Sequence, residues 1–183
     1  LLKELGYCNV TGIDISQDQI RVGKELGVEN IKHGDVFEYL QNKKGAFDTI
    51  VGVDVIEHMP KARLMEFLGL SYASLTSNGS TIFRTPNGDA PFGSTYYWGD
   101  FTHEIVLNAF SAEQIMLTAG FSELEVFPSL IKTSGFLKNI IRSITWSVIA
   151  LCSKIILFAS GKSAKQVLLS PNLIIHAKKS NIA

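Results

Sequence analysis

No stretch constrains the fold of this chain more than Phe47–Val53. Its near-continuous apolar character suits a parallel strand covered on both faces, not the alternating strand of a half-solvated sheet. Upstream, residues 10–15 form a short apolar run, and Ser16 caps a following helix that carries Ile20 and Leu26. Residues 30–32 give a second brief strand ending in Gly34-Asp35, with a short helix over 36–40. Downstream, a long helix is predicted over 61–75, stopped by Ser77-Asn78-Gly79, and then a strand over 80–85, closed by Pro86-Asn87-Gly88. Residues 88–110 carry Gly, Pro and many aromatics and read as a long loop of the kind that bears function. Ser111 caps a helix ended by Gly120, and residues 123–127 alternate like an exposed-edge strand. Residues 134–161 are a separate apolar helical stretch. A last strand over 166–178 holds Val167-Leu168-Leu169 and Leu173-Ile174-Ile175, with Pro171 pointing to an edge or a bulge. Strands alternating with helices, then a final strand pair, predict an α/β sandwich with a mostly parallel sheet.

The chain is one domain in size, and 46% hydrophobic content suffices for a single core spanning 1–183. Seventeen cationic residues balance 17 acidic ones, so the overall field draws in neither nucleic acid nor anionic membrane. No nucleic-acid partner is expected, and a membrane contact must come from a local patch. Cys8 and Cys152 sit among apolar residues without metal-ligand spacing and read as reduced, buried small hydrophobes. A cytoplasmic setting follows from that reading. Residues 1–7 look like the last turns of an amphipathic helix ended by Gly6, not a signal peptide. The first methionine is Met59, so upstream sequence is expected.

In open α/β sheets ligands sit outside the carboxyl ends of the strands, which directs attention to three junctions. In Gly12-Ile13-Asp14-Ile15-Ser16, an acidic residue closing a strand can accept both hydrogen bonds of a ribose diol, or merely cap the next helix. In Gly34-Asp35-Val36, a carboxylate can accept from an adenine amine while the next backbone N–H meets a ring nitrogen; capping is the alternative here too. The third junction is the string Phe47-Asp48-Thr49-Ile50-Val51-Gly52-Val53-Asp54-Val55-Ile56-Glu57-His58-Met59.

That string, at its spacing after the other two, resembles the segment around the fourth strand of class I, Rossmann-like S-adenosylmethionine-dependent methyltransferases. The likeness is greatest to ubiquinone-biosynthesis O-methyltransferases and to relatives from polysaccharide and lipid pathways. It runs from residue 1 to about 128 and resumes in the final strand. The resemblance implies a sheet ordered 3-2-1-4-5-7-6 with its last strand antiparallel. It also implies S-adenosylmethionine as cofactor, with Asp14 on the ribose hydroxyls, Ile15 packed on the adenine, Asp35 and Val36 reading the adenine edge, and Val53 lining the methionine end. The family's first strand and the Gly-rich turn that holds the methionine carboxylate have no counterpart in these residues.

Asp54, Glu57 and His58 stand at i, i+3 and i+4, so a helical turn would put all three on one side. Two carboxylates and an imidazole there can hold Mg²⁺ or another divalent ion, or His58 can take a proton from an acceptor hydroxyl. Small-RNA 2′-O-methyltransferases and some ubiquinone-pathway enzymes use a similar turn for a metal, the former with a later histidine, and His103 is the candidate for that ligand. The alternative is that Glu57 and His58 only cap the next helix and bond each other. His33 and His176 fall inside strands and read as structural.

The expected activity is O-methylation of a small-molecule, glycan or lipid-linked acceptor, with His58 and His103 as catalytic candidates. Competing readings are a nucleotide-dependent oxidoreductase, which would share Asp14, and an inactive methyltransferase-like binding module. Residues 134–161 are expected to dock on a membrane surface or cover a lipid-like acceptor, placing the protein peripherally at the inner membrane face. Lys138, Arg142, Lys154 and Lys162 would reach headgroups and Trp146 the interface. The longest uncharged run before Lys154, residues 143–153, falls short of the ~20 residues of a spanning helix. A helix buried against another part of the protein or a second subunit is the alternative.

Overall fold

The computed structural model of the chain describes residues 2, 4–129, 134–163, 165 and 167–179. The first half consists of β1 (Gly12–Asp14), α1 (Gln17–Glu25), β2 (Ile31–His33), α2 (Val36–Gln41), β3 (Phe47–Val53), a 3-10 turn (Ile56–His58) and α3 (Lys61–Ser74). Then come β4 (Leu75–Pro86), α4 (Gly93–Tyr97), α5 (Ala109–Thr118), β5 (Phe121–Ser129), α6 (Phe136–Ala159) and β6 (Asn172–Lys179). The crossovers through α1 and α3 return parallel strands: β1 pairs with β2 and β3 with β4 in parallel. β6 runs antiparallel between β4 and β5.

The strands thus form two sheets, β1-β2 and β3-β4-β6-β5. Within each sheet the neighbours are those of the order 3-2-1-4-5-7-6, and among the described residues no strand pairs β1 with β3. α2 joins the two parts by packing on α3. The Phe37 and Phe67 rings meet edge-on at 6.1 Å, the Arg63 guanidinium lies 3.5 Å over Phe37, and the Ser74 hydroxyl donates to the Leu40 carbonyl. The core fills the space between the larger sheet and α3 and α5, with Leu64, Phe67, Leu68, Phe83, Met116, Leu173 and Ile175 buried. Burial of each such side chain stabilises the fold by ~1.5–3 kcal/mol.

Several local expectations are corrected. β3 is parallel but not covered on both faces: the face that carries Val51 and Val53 is left exposed by the described residues. Ser77-Asn78-Gly79 does not stop α3, which ends at Ser74, and lies instead within β4. Asn108, not Ser111, caps α5; its side chain accepts from the Ser111 N–H while Ser111 Oγ accepts from the Asn108 N–H, a reciprocal capping box. The loop over 88–110 contains the short helix α4.

β6 is central rather than an edge, because Pro171 falls just before it and withholds no N–H from the ladder. Val167-Leu168-Leu169 joins no strand, since Asn87 Nδ2 donates to the Leu168 and Ser170 carbonyls and fixes that segment across the end of β4. Cys8 and Cys152 are exposed, not buried; Cys152 sits on α6, which has no fully buried residue. Leu1 and Lys3 of the opening segment and Gln166 lie outside the described residues, and Leu2 and residues 4–6 form turns instead of a helix.

Candidate active site

At the end of β1, Asp14 Oδ1 accepts from the Ser16 N–H at 2.7 Å, and Ser16 Oγ, not Asp14, caps α1 by accepting from Gln19. The Asp14 carboxylate is therefore fixed at the strand end without being spent on the helix. β2 is tied to the same point. Gly34 N–H donates to the Asp14 carbonyl at 3.0 Å, and His33 Nε2, facing a carbonyl that can only accept, donates to Ile15 at 3.0 Å. These bonds set Asp14 and Ile15 beside Asp35 and Val36, with Ile15 left 73% exposed. Asp35 does cap α2, its Oδ1 accepting from Phe37 N–H at 2.7 Å, as the alternative reading had it. Val53 closes β3 on the other sheet and is also exposed.

The turn after β3 departs from the expected one-sided triad. Asp54 adopts a left-handed backbone, φ 52°, and its Oδ2 pairs with Arg84 of β4 at 2.6 Å. Val53 and Arg84 are register partners, so the guanidinium stands beside the turn and draws Asp54 away. Asp54 is thereby corrected from metal ligand to ion-pair partner. Glu57, His58 and His103 do come together: each offers one ligand atom, all within 4.8 Å of one another. What delivers His103 is the backbone of the loop, since the Glu57 carbonyl accepts from both Glu104 and Ile105 N–H. The two imidazoles then meet edge-on with centroids 4.6 Å apart.

Glu57 is 2% exposed. Its Oε2 accepts from the Thr85 hydroxyl at 3.1 Å, while Oε1 and His103 Nδ1 are buried without a hydrogen-bond partner among the described residues. Burial pushes the Glu57 carboxyl upward from its ordinary value; its hydrogen bonds, Thr85's included, oppose this, the Asp54 charge adds to it and the His58 charge opposes it. His58 is oriented by a short relay. Thr102 Oγ1 lies 2.6 Å from Asp100 Oδ1, and the Thr102 hydroxyl and N–H both hold Asp100 below the ordinary aspartate value. A carboxylate only accepts, so the Thr102 hydroxyl hydrogen goes to Asp100. His58 Nδ1, 2.9 Å from Thr102 Oγ1, is then the donor to that oxygen. This assignment from the network leaves the His58 Nε2 lone pair free for a proton or a cation.

Thr102, Asp100, Thr85 and Arg84 were not anticipated. Asp100-Phe101-Thr102 carries the signal of an Asx turn, whereas Thr85 and Arg84 lie 28 and 30 residues from their partners and give none. Of the other histidines, His33 makes the bond to Ile15 already described and His176 lies 3.6 Å from Glu125.

The strand order and the cluster of polar groups at the strand ends define a Rossmann-like methyltransferase fold. Solved structures agree. A SAM-dependent methyltransferase from Archaeoglobus fulgidus aligns over 97% of this chain and 79% of its own at 22% identity, TM-score 0.71. One from Thermotoga maritima aligns over 97% and 75% at 16% identity, TM-score 0.64. A Haemonchus contortus phosphoethanolamine N-methyltransferase, solved with S-adenosyl-L-methionine, aligns over 94% of this chain and 43% of its own at 18% identity, TM-score 0.56. At these identities the likeness is one of fold. No curated protein matches the sequence significantly. A family model described as a methyltransferase domain matches residues 1–126. The chain belongs to that family, the S-adenosylmethionine-dependent methyltransferases, and not to the nucleotide-dependent oxidoreductases that the sequence left open.

Proposed function

We propose that this chain is an O-methyltransferase in which Asp14, Ile15, Asp35 and Val36 hold the nucleoside end of S-adenosylmethionine, Val53 lines the methionine end, and Glu57, His58 and His103 handle the acceptor hydroxyl. The observation that carries the reading is that Glu57, His58 and His103 each bring one ligand atom within 4.8 Å of the others, while Glu57 Oε1 and His103 Nδ1 are buried without a hydrogen-bond partner among the described residues. An unsatisfied buried carboxylate oxygen is costly, so it points to an absent partner. One carboxylate oxygen and two imidazole nitrogens fit a divalent ion, and the imidazoles favour Mn²⁺, Fe²⁺ or Zn²⁺ over Mg²⁺. Such an ion, when bound, supplies a Lewis acid that eases loss of the acceptor's proton. His58 Nε2, aimed by the Thr102–Asp100 relay, either contributes to that site or takes the proton itself.

The acceptor classes this reading supports are small-molecule, glycan and lipid-linked hydroxyls. The test is transfer of labelled methyl from S-adenosylmethionine across quinols, sugars and lipid-linked glycans, with Mn²⁺ or chelator. Turnover is expected to fall at least about a hundredfold in His58→Ala, the scale of lost general-base catalysis. Turnover left intact by both chelator and His58→Ala would restore the structural reading of the cluster.

A further inference from the structure

The balanced net charge conceals a segregation. All 17 acidic residues lie within residues 1–125, whereas residues 126–183 hold eight cationic residues and no acidic one. α6 lies in this wholly cationic segment. Its half-buried residues Asn139, Arg142, Trp146, Ile149, Ser153 and Leu157 recur at helical spacing and form one stripe. Ser153, Ile156 and Leu157 line a cavity of about 300 Å³ with Asp89 and Pro91 of the loop after β4 and with Val167 and Leu169, so the C-terminal part of this stripe faces the domain. At 100° per residue the opposite face is Leu137, Ile141, Ile144, Val148, Leu151 and Ile155, all apolar and all exposed. A surface helix of a soluble protein shows the reverse arrangement. Lys138 and Lys154 stand on the two flanks between the stripes.

We propose that α6 docks in the plane of an anionic lipid bilayer, its outward apolar face sunk at the headgroup boundary and its flanking lysines among the headgroups. The charge of the segment selects this occupant. Two copies of α6 facing each other would bring lysines together with no acidic residue in the segment to pair them, whereas anionic headgroups neutralise them. Twenty-four residues, about 36 Å, would suffice to cross a bilayer. By length and composition α6 is also apolar enough to cross, but Lys138, Arg142 and Lys154 interrupt the run and its C-terminal turns lean on the domain beside Asp89 and Pro91, which favours lying in the plane. Docking does not depend on the chemistry proposed for Glu57, His58 and His103.

The experiment is co-sedimentation of the full chain with vesicles of phosphatidylcholine alone or with one-third phosphatidylglycerol, at low and high salt. Two variants accompany it: Ile144→Ser/Val148→Ser/Leu151→Ser, and Lys138→Glu/Lys154→Glu. The expected result is binding to the anionic vesicles that weakens with salt, falls about fivefold or more per lysine reversed, and is lost in the serine variant with its melting temperature unchanged. Equal recovery of all forms in the supernatant would overturn the proposal. So would a serine variant that melts early, which makes the face core. A salt-insensitive dimer that the serine variant dissociates, without vesicle binding, would assign the face to a second copy instead. Resistance of the membrane-bound protein to alkaline carbonate would mean a spanning helix.

Discussion

Replacing Glu57 with Gln separates the two roles its carboxylate can have. Without a divalent ion, the native protein keeps a carboxylate that is 2% exposed and has one oxygen unpartnered. A buried group left unsatisfied costs about 1–3 kcal/mol, and more when charged. Gln preserves the acceptor for Thr85, removes the charge, and puts an N–H donor where the orphan oxygen stood. In chelator at neutral pH, Glu57→Gln should therefore be more stable than wild type by about 1–3 kcal/mol, or about 2–4 °C of melting temperature per kcal/mol at this chain length.

The sign with pH follows from the raised carboxyl. Below the ordinary glutamate value of 4.5 both folded and unfolded forms are protonated and the penalty is absent. As pH rises from that ordinary value through the folded-state one, wild type loses stability that the variant keeps, so the gap opens over that interval and stays constant above it. A bound ion inverts the order: at a hundred times Kd it adds about 2.7 kcal/mol to wild type and little to the variant. Differential scanning calorimetry over pH 4–8, in chelator and in Mn²⁺, reads both effects. Glu57→Gln melting below wild type in chelator would refute the desolvation argument. Equal responses of the two to Mn²⁺ would remove Glu57 from the ion site.

Asp14→Ala should cost about 1.5–3 kcal/mol of S-adenosylmethionine affinity by calorimetry, the scale of hydrogen bonds to a charged group, and Asp14→Asn, which keeps the acceptor for Ser16, should lose less; unchanged affinity in both would overturn the ribose assignment. Tyr97 is buried with its hydroxyl unpartnered among the described residues, and burial, then Asp89, pushes it up to about 12. Its contribution is complete below the ordinary tyrosine value of 10 and is lost as pH climbs toward 12, so Tyr97→Phe should resist alkaline unfolding better than wild type; coincident alkaline transitions would contradict this. A Cβ on Gly52 would stand 2.9 Å from the fully buried Phe83 ring, so Gly52→Ala should destabilise by about 1–3 kcal/mol in urea denaturation, and an unchanged midpoint would show that the ring yields.

What was legible in the sequence is what lies within one turn or one strand end. Asp14 and Asp35 were placed by an apolar run followed by a cap signal, and the bonds from Gly34 N–H to the Asp14 carbonyl and from the His33 side chain to the Ile15 carbonyl accompany parallel pairing of β1 and β2. Asp54 was misplaced because the spacing i, i+3, i+4 presumes a continuous helical turn. The chain instead enters the turn through a left-handed residue, and a guanidinium 30 residues later captures the carboxylate. That capture depends on Val53 facing Arg84, and register between strands joined by a helix is set by packing of the whole layer. The Thr85 bond to Glu57 is hidden by the same register.

α6 shows the complementary limit. Its composition is apolar nearly all round, so periodicity alone could not say which side meets the domain. Only the seating of Ser153 and Leu157 beside Asp89 and Pro91 sorts its residues into an inward stripe and an outward one. Once sorted, the sequence becomes informative again. The change from an acidic first part to a wholly cationic remainder was present throughout, but a net charge of zero averages over the very separation that gives the outward face its electrostatic surroundings. Charge has to be summed over the surface that a partner meets, and that surface is defined by the fold.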